Sequence, residues 1–398
     1  MMNVQIFSWS FGMLARKIIL LLSVSLLLAG CAPSATQQDA LVLINGTLID
    51  GTGAAPIPKA ILVIRGEQIV AVGTRDEVNI PDGAHVIDLK GTTILPGFIN
   101  AHIHSGFRGE NLQAWAYGGV TTVRDEGIIS SGSLDELMAF RDSAAKDPMN
   151  ARLVSSGYMI SVPDGYGDIF VDSPEEARRK VFEELDAGVD MIKISMEDGY
   201  AGKSGLPKLT DEEIIAIITA AHERGTHVSG HITQAEYLEV LVNAGVDDIA
   251  HIAYDVVPDE VWKDMVAKDI YLVPTFTVFR NYSAPVDICV LNLRNFVELG
   301  GKAALGNDYG GGPGKFELGI PMYEIEKMSE AGMTPMQIIE AATQNAAHVL
   351  NIEDQVGTLE AGKVADVLVV AGNPLEDLQA LTDIRMVIHN GTIIRDGN

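Results

Sequence analysis

Between residues 94 and 355, short β-branched apolar runs alternate with longer stretches whose apolar positions recur every three or four residues. That is the spacing of strand followed by helix. The strand segments are 93–103, 120–124, 153–156, 189–195, 226–231, 247–251, 270–275 and 303–306. Helical stretches run over 173–187, 210–224, 234–244, 258–268 and 334–350. Ser173-Pro174-Glu175-Glu176 and Thr210-Asp211-Glu212-Glu213 are helix starts, because their hydroxyls can accept from the free N–H groups of a first turn. Eight strand–helix units predict an α/β fold, a (β/α)8 TIM barrel. An open doubly wound sheet would call for a glycine-rich phosphate loop after its first strand, and none follows here.

The two ends have a different rhythm. Short runs at 41–45, 61–65, 68–73 and 85–89 are punctuated by Asn45-Gly46, Asp50-Gly51 and Asp82-Gly83. The same style returns at 365–371, 384–389 and 392–395, with Asn390-Gly391 between the last two. These are signals of antiparallel strands. Residues 40–93 plus 356–398 therefore predict a small composite β domain, a β-sandwich, flanking a barrel domain at 94–355.

Residues 1–30 read as an export signal. Arg16 and Lys17 precede an apolar run from Ile18 to Leu28, and Leu28-Ala29-Gly30-Cys31 follows. Eleven residues span about 16 Å, about half a hydrocarbon core, which disfavours a transmembrane helix. A basic start, a short apolar run and small residues before a cut make a secretory signal. The cut resembles the lipobox of bacterial lipoproteins, in which Cys31 would be lipidated. Residues 31–39 then form a tether, and Met13 is an alternative start. Ala32 after the cysteine points to an outer-membrane anchor with the protein in the periplasm. The other cysteine, Cys289, would then have no disulfide partner. The net charge of -26 makes nucleic acid and anionic membrane surfaces poor partners, leaving the anchor as the membrane contact. Homo-oligomerisation is left open.

Candidate chemistry gathers at the strand ends. His102 and His104 are two apart in an extended segment, so both imidazoles share a face. Lys193 ends the fourth barrel strand. A buried ammonium there is costly, and burial lowers its pKa until the amine can react with carbon dioxide to give a carbamate (N6-carboxylysine), unless its head escapes to solvent. His231, His251 and Asp308 end or follow the fifth, sixth and eighth strands. TIM-barrel active sites are built at this rim. By contrast, His85, His222, His348 and His389 lie away from barrel-strand ends, and His227 belongs to a lower core layer.

These motifs resemble the amidohydrolase superfamily, in its binuclear lysine-bridged branch, from Leu41 to Gly391. Pro96-Gly97-Phe98-Ile99-Asn100-Ala101-His102-Ile103-His104 carries the resemblance, with Gly119-Val120-Thr121-Thr122-Val123-Arg124-Asp125 and Gly357-Thr358-Leu359-Glu360-Ala361-Gly362-Lys363-Val364-Ala365-Asp366. Tyr254, three residues after His251, is similar to the prolidase-like and imidazolonepropionase-related group. The resemblance implies that His102, His104 and Asp308 bind one divalent metal ion. His231 and His251 would bind a second, with carbamylated Lys193 bridging both, and zinc suits these ligands. Two cations about 3.5–4 Å apart depress the pKa of a bridging water toward about 7. Asp308 would shuttle the proton, and Tyr254 would help hold the oxyanion or would simply pack.

The implied reaction is hydrolysis of a C–N amide bond in a dipeptide, an N-acyl amino acid or a related amide, including ochratoxin-like amides. Deamination is disfavoured, because Gln234 stands where a deaminase needs an acid. Alternatives are a lactonase or phosphotriesterase on the same centre, or a non-catalytic anchored binding lipoprotein. Tyr158, Tyr166 and Phe170 after the third strand, and Gly310-Gly311-Gly312-Pro313-Gly314 after Asp308, are expected over the mouth as pocket lining or as loop filler. Arg124 is expected either to hold a substrate carboxylate or to pair with Asp125 or Glu126.

Overall fold

The computed structural model describes residues 40–199, 204–280, 284–310 and 318–397. Cys31, the signal, the tether and residues 311–314 of the expected glycine-rich rim lie outside these described residues.

The first strands alternate apolar residues to two faces. β1 (Leu41–Leu48), β2 (Ile57–Arg65), β3 (Gln68–Gly73), β4 (His85–Asp88) and β5 (Thr93–Pro96) belong to one sheet. β1 sends Val42 into one apolar cluster and Leu43 into another, as the two-residue strand period requires. Asn45-Gly46 falls inside β1, where Asn45 adopts φ 64° and the pairing with β2 shifts register, so it makes a bulge.

β5 and β6 (Phe98–Ile103) were expected as one strand but part at Gly97. There, Gly97 N–H donates to Asp366 O, and a Cβ would lie 2.3 Å from Thr121 Oγ1. Only glycine permits that approach. The break sends β5 to the terminal sheet and β6 to a parallel one.

β6, β7 (Val120–Asp125) and β8 (Arg152–Ser155) form a three-stranded parallel sheet. β9 (Ile160–Ser161), β10 (Ile169–Phe170), β11 (Ile192–Met196), β12 (Val228–Ile232), β13 (Asp248–Ala250) and β14 (Tyr271–Val273) form a second, ordered β10-β9-β11-β12-β13-β14. Helices Pro174–Ala187, Asp211–His222, Ala235–Ala244 and Asp259–Ala267 alternate with these strands. Ser173 and Thr210 cap their helices through Glu176 N–H and Glu213 N–H. The expected helix over 334–350 is two, Pro335–Ala342 and Gln344–Val349. Thr343 breaks it at φ -132°, ψ -96°, its hydroxyl donating to Ile339 O at 2.6 Å.

The expected eighth strand is not a regular strand. Segment 302–309 instead makes isolated bridges, Leu272 with Ala303 and Ile103 with Tyr309. Backbone bonds run from Ala304 N to Leu272 O at 2.9 Å, from Ala101 N to Leu305 O at 2.7 Å and from Asp308 N to His102 O at 2.8 Å. The segment therefore links β14 to β6. Gly306 allows this, since a Cβ there would stand 2.9 Å from His102 Cβ. Across the structure, Asp190 N–H donates to Ser155 O, joining the approach to β11 with β8.

The chain then returns to the first sheet through β15 (Val367–Val370), β16 (Ile384–His389) and β17 (Thr392–Asp396), giving the order β17-β16-β15-β5-β1-β2-β3 with β4 on β1. Asn390 and Gly391, at φ 47° and 72°, make the β16–β17 turn. Val367 and Val369 face the cluster around Leu43 and Leu62, while Leu368 and Val370 enter the main core with Phe98 and Trp115. Apolar contact on both faces of β15 ties the terminal sheet to the body.

Candidate metal centre

The expected ligands reach one end of the parallel strands at two depths. Lys193 pairs in register with Ser229, and Ser195 with His231, so Lys193 enters one layer below the imidazoles. His102 lies in β6, His104 follows it, His251 follows β13, and Asp308 follows the bridging segment.

The structure brings these side chains together. His102 Nε2 and His104 Nε2 are 3.4 Å apart, and Asp308 Oδ1 is 3.6 Å and 3.3 Å from them. Donor atoms of these three residues lie within 4.8 Å of one another, as a shared cation requires. The His251 ring centroid is 4.7 Å from that of His102 and 4.5 Å from that of His231.

The outward ring nitrogens explain how the inward ones are aimed. His104 Nδ1 sits 2.7 Å from Gly127 O, an acceptor, so this nitrogen carries the proton and Nε2 keeps its lone pair. His251 Nδ1 is 2.7 Å from Thr275 Oγ1. His231 Nε2 is 3.4 Å from Glu197 Oε2, which also accepts from Thr233 Oγ1 at 2.7 Å. His102 Nδ1 is buried without a hydrogen-bond partner. Burial, followed by the positive charges of Lys193 and the neighbouring histidines, pushes His102 well below its ordinary pKa. His251 is lowered well below its ordinary value by burial, then by His231 and Lys193. Burial also lowers His231, against the opposing effect of its hydrogen bond to Glu197. Neutral imidazoles are the ligating form.

Four residues of this centre carry left-handed backbone. Ser105, His251, Thr275 and Asp308 adopt φ of 97°, 71°, 54° and 55°. Left-handed conformations cost non-glycine residues about 1–3 kcal/mol each and persist where surrounding contacts over-determine them.

Below the imidazoles lies a buried charge quartet. Lys193 Nζ pairs with Glu126 Oε2 and lies 3.4 Å from Ser229 Oγ. Arg124 grips Asp248 through two bonds of 2.9 Å and 3.0 Å, with Nε 2.8 Å from Glu126 Oε1. Two cations thus balance two anions with essentially no exposure. Burial pushes the Lys193 pKa down while Glu126 opposes it. Arg124 therefore cannot hold a substrate carboxylate: its guanidinium is fully buried and already committed to Asp248, Glu126 and Ala101 O. Of the two expectations for it, pairing with Glu126 is the one realised.

Tyr158, Tyr166 and Phe170 were expected over the mouth, and Tyr254 beside the oxyanion or in packing; Phe170 is exposed. The Tyr166 ring lies 5.0 Å from His231, beside the cluster. Tyr254 is half-buried, edge-on to Phe279 at 5.2 Å. Tyr158 is half-buried, its hydroxyl donating to Gly132 O at 3.3 Å. Tyr158 N–H donates to Glu184, a carboxyl that burial raises to about 7. An unfolded glutamate titrates near 4.3. The folded form therefore holds its proton more tightly, and this stabilisation is lost as pH rises through about 7. The melting temperature of Glu184→Gln relative to the parent should rise between pH 5 and pH 8. A constant offset would rule out the buried carboxylate as the cause.

Asp125, Glu126, Glu197, Ser229, Asp248, Thr275 and Glu324 were not anticipated as site residues. Asp125 accepts from Ser105 N–H at 3.0 Å and Gly106 N–H at 2.8 Å, holding the turn that follows His104. A signal existed for two of the seven. Ser229 and Glu126 lie two residues from His231 and Arg124, on the same strand faces. Three of the remaining histidines have other partners: His222 with Asp247, His348 with Glu353, and His389 with Pro148 O.

Known proteins share this arrangement of chain. Ochratoxinase from Aspergillus niger is 26% identical, over 89% of this chain and 86% of its own. Imidazolonepropionase from Symbiobacterium thermophilum is 28% identical, over 80% of this chain and 85% of its own. The crystal structure of a Xaa-Pro dipeptidase with bound methionine superposes at TM-score 0.77 and 26% identity, covering 90% of this chain and all of that one. Residues 93–394, which carry both the paired histidines and Asp308, match the amidohydrolase family, and the chain belongs to it.

Proposed function

We propose that this chain hydrolyses a C–N amide bond in a small molecule, with two divalent cations, zinc by ligand type, at the centre described above. The convergence of His102, His104, His231, His251 and Asp308 carries the reading. Four lowered or outward-anchored imidazoles and one carboxylate at a single rim are a donor set suited to such cations. The backbone bonds at 302–309 and at Ser155–Asp190 support a closed (β/α)8 barrel beneath it, and the burial of β1 on both faces, Val42 on one and Leu43 on the other, supports a sandwich in the terminal sheet.

When bound, the cations would acidify water and polarise a carbonyl. The protein's own groups do the rest. His102, His104 and Asp308 would hold one cation, and His231 and His251 the other. Carboxylation of Lys193, in which Nζ bonds the carbon of CO2 and releases protons, would place an anionic oxygen donor between them. That step requires Lys193 to leave Glu126. Asp308 Oδ takes the proton of the attacking water and delivers it to the leaving nitrogen. Tyr254 would donate to the developing oxyanion, and Tyr166 and Tyr158 would line an apolar pocket. The relatives named for ochratoxin and Xaa-Pro cleavage favour an amide joined to an amino acid. Export and lipidation at Cys31 rest on the sequence alone.

The test is a panel of N-acyl amino acids, Xaa-Pro dipeptides, lactones and phosphotriesters, offered to signal-free protein with its metal content measured. Amide turnover with about two metals per chain is expected. Lactone or phosphotriester turnover alone would reassign the reaction, and full metal occupancy without any turnover would favour a binding protein.

A further inference from the structure

Thr275 is a β-branched residue in the left-handed region, at φ 54° and ψ 42°, and it is fully buried. For such a side chain this backbone is an outlier that needs external support. The support is Glu324, from the first turn of helix Met322–Glu330. Its buried carboxyl group accepts from Phe276 N–H at 2.9 Å, Thr277 N–H at 2.8 Å and the Thr277 hydroxyl at 2.8 Å. Three donors from two consecutive residues leave the turn little freedom. The turn so held brings Thr275 Oγ1 to 2.7 Å from His251 Nδ1. The competing acceptor, Asp308 Oδ2, is 3.8 Å away, beyond hydrogen-bond reach.

We propose that Thr275 and Glu324 are positioning residues for the second metal. Glu324 pins the strained turn, and the Thr275 hydroxyl accepts the Nδ1–H of His251, leaving Nε2 as the ligand atom. Neither touches substrate. The assignment rests on the metal-centre reading for its purpose, but the tautomer it predicts exists without metal. Without the hydroxyl, a neutral His251 would divide its proton between two nitrogens, and only one of the two forms can ligate through Nε2.

The experiment is 15N NMR of histidine-labelled, metal-free protein, with His251 assigned from the signals lost in His251→Gln, alongside zinc titrations of the same samples. The parent is expected to carry the His251 proton on Nδ1. Thr275→Val keeps the branched shape but removes the hydroxyl, so it should show mixed tautomers and bind its second zinc about 10–100-fold more weakly. Thr275→Ser should restore both. Glu324→Gln, which contacts neither His251 nor any proposed ligand, should shift the tautomer in the same direction. Melting temperatures of the metal-free variants separate these effects from misfolding, and Thr275→Ser keeps the question decidable if Thr275→Val does not fold. A parent protonated on Nε2, or a Thr275→Val with parent-like tautomer or zinc affinity, would overturn the proposal. An unmoved tautomer in Glu324→Gln would remove Glu324 from it. A parent that binds no zinc would defeat the metal-centre reading, and the tautomer alone would then judge Thr275.

Discussion

Lys193→Ala should lose most amide turnover, at least about 100-fold in kcat/KM, together with affinity for one metal; loss of a ligand or its support commonly costs that much. Compared in the metal-free form, where the uncarboxylated Lys193 ammonium still pairs with Glu126, the variant should also lose stability. Removing the Lys193 partner leaves Glu126 fully buried beside Asp248, with Arg124 as its remaining cation and the Ser229 hydroxyl as a donor. Breaking a buried ion pair from one side costs about 3–5 kcal/mol, chiefly because the remaining charge is uncompensated. The two losses can be separated. If Lys193 acts as a carbamate, formate or acetate should restore part of the turnover by taking the place of its carboxyl group, without restoring the melting temperature. Near-normal kcat/KM in Lys193→Ala without any additive would end the carbamate reading. Full recovery of stability on adding Glu126→Gln would locate the structural cost in the orphaned carboxylate.

The second large effect is at Asp308. Asp308→Asn keeps the size and the φ of 55° tolerated there, since asparagine enters the left-handed region more readily than most residues. It removes the proton acceptor, and kcat should fall about 10²–10⁴-fold. Stability should not fall with it. Burial raises the Asp308 carboxyl to about 6, against the attraction of His104 and Lys193, so its charge is not a source of folding free energy. Single-turnover assays at saturating zinc, with metal content measured, decide the point. A kcat within a fewfold of the parent would assign proton transfer to another group.

Much of the site was legible from strand-end position. His102 and His104 could be paired from the two-residue period of an extended chain, and His231, His251 and Asp308 from their places after apolar runs. The supporting shell was far less so. Glu197 lies 34 residues before His231, Thr275 24 residues after His251, and Glu324 48 residues beyond the Phe276 N–H it holds, and no local pattern marks them. Arg124 shows the same limit: its same-face neighbour Glu126 was within view, while Asp248, 124 residues away, was not.

Local sequence determined which segments become strand and helix, where Ser173 and Thr210 start their helices, and which side chains share a strand face. Backbone sterics, capping and periodicity act over a few residues, so they are written locally. Tertiary structure decided the rest: the split at Gly97, the irregular course of 302–309, the break at Thr343, and the balanced burial of Arg124, Lys193, Glu126 and Asp248. These depend on close approach and on electrostatic neutrality between distant segments, quantities that exist only once the chain is packed.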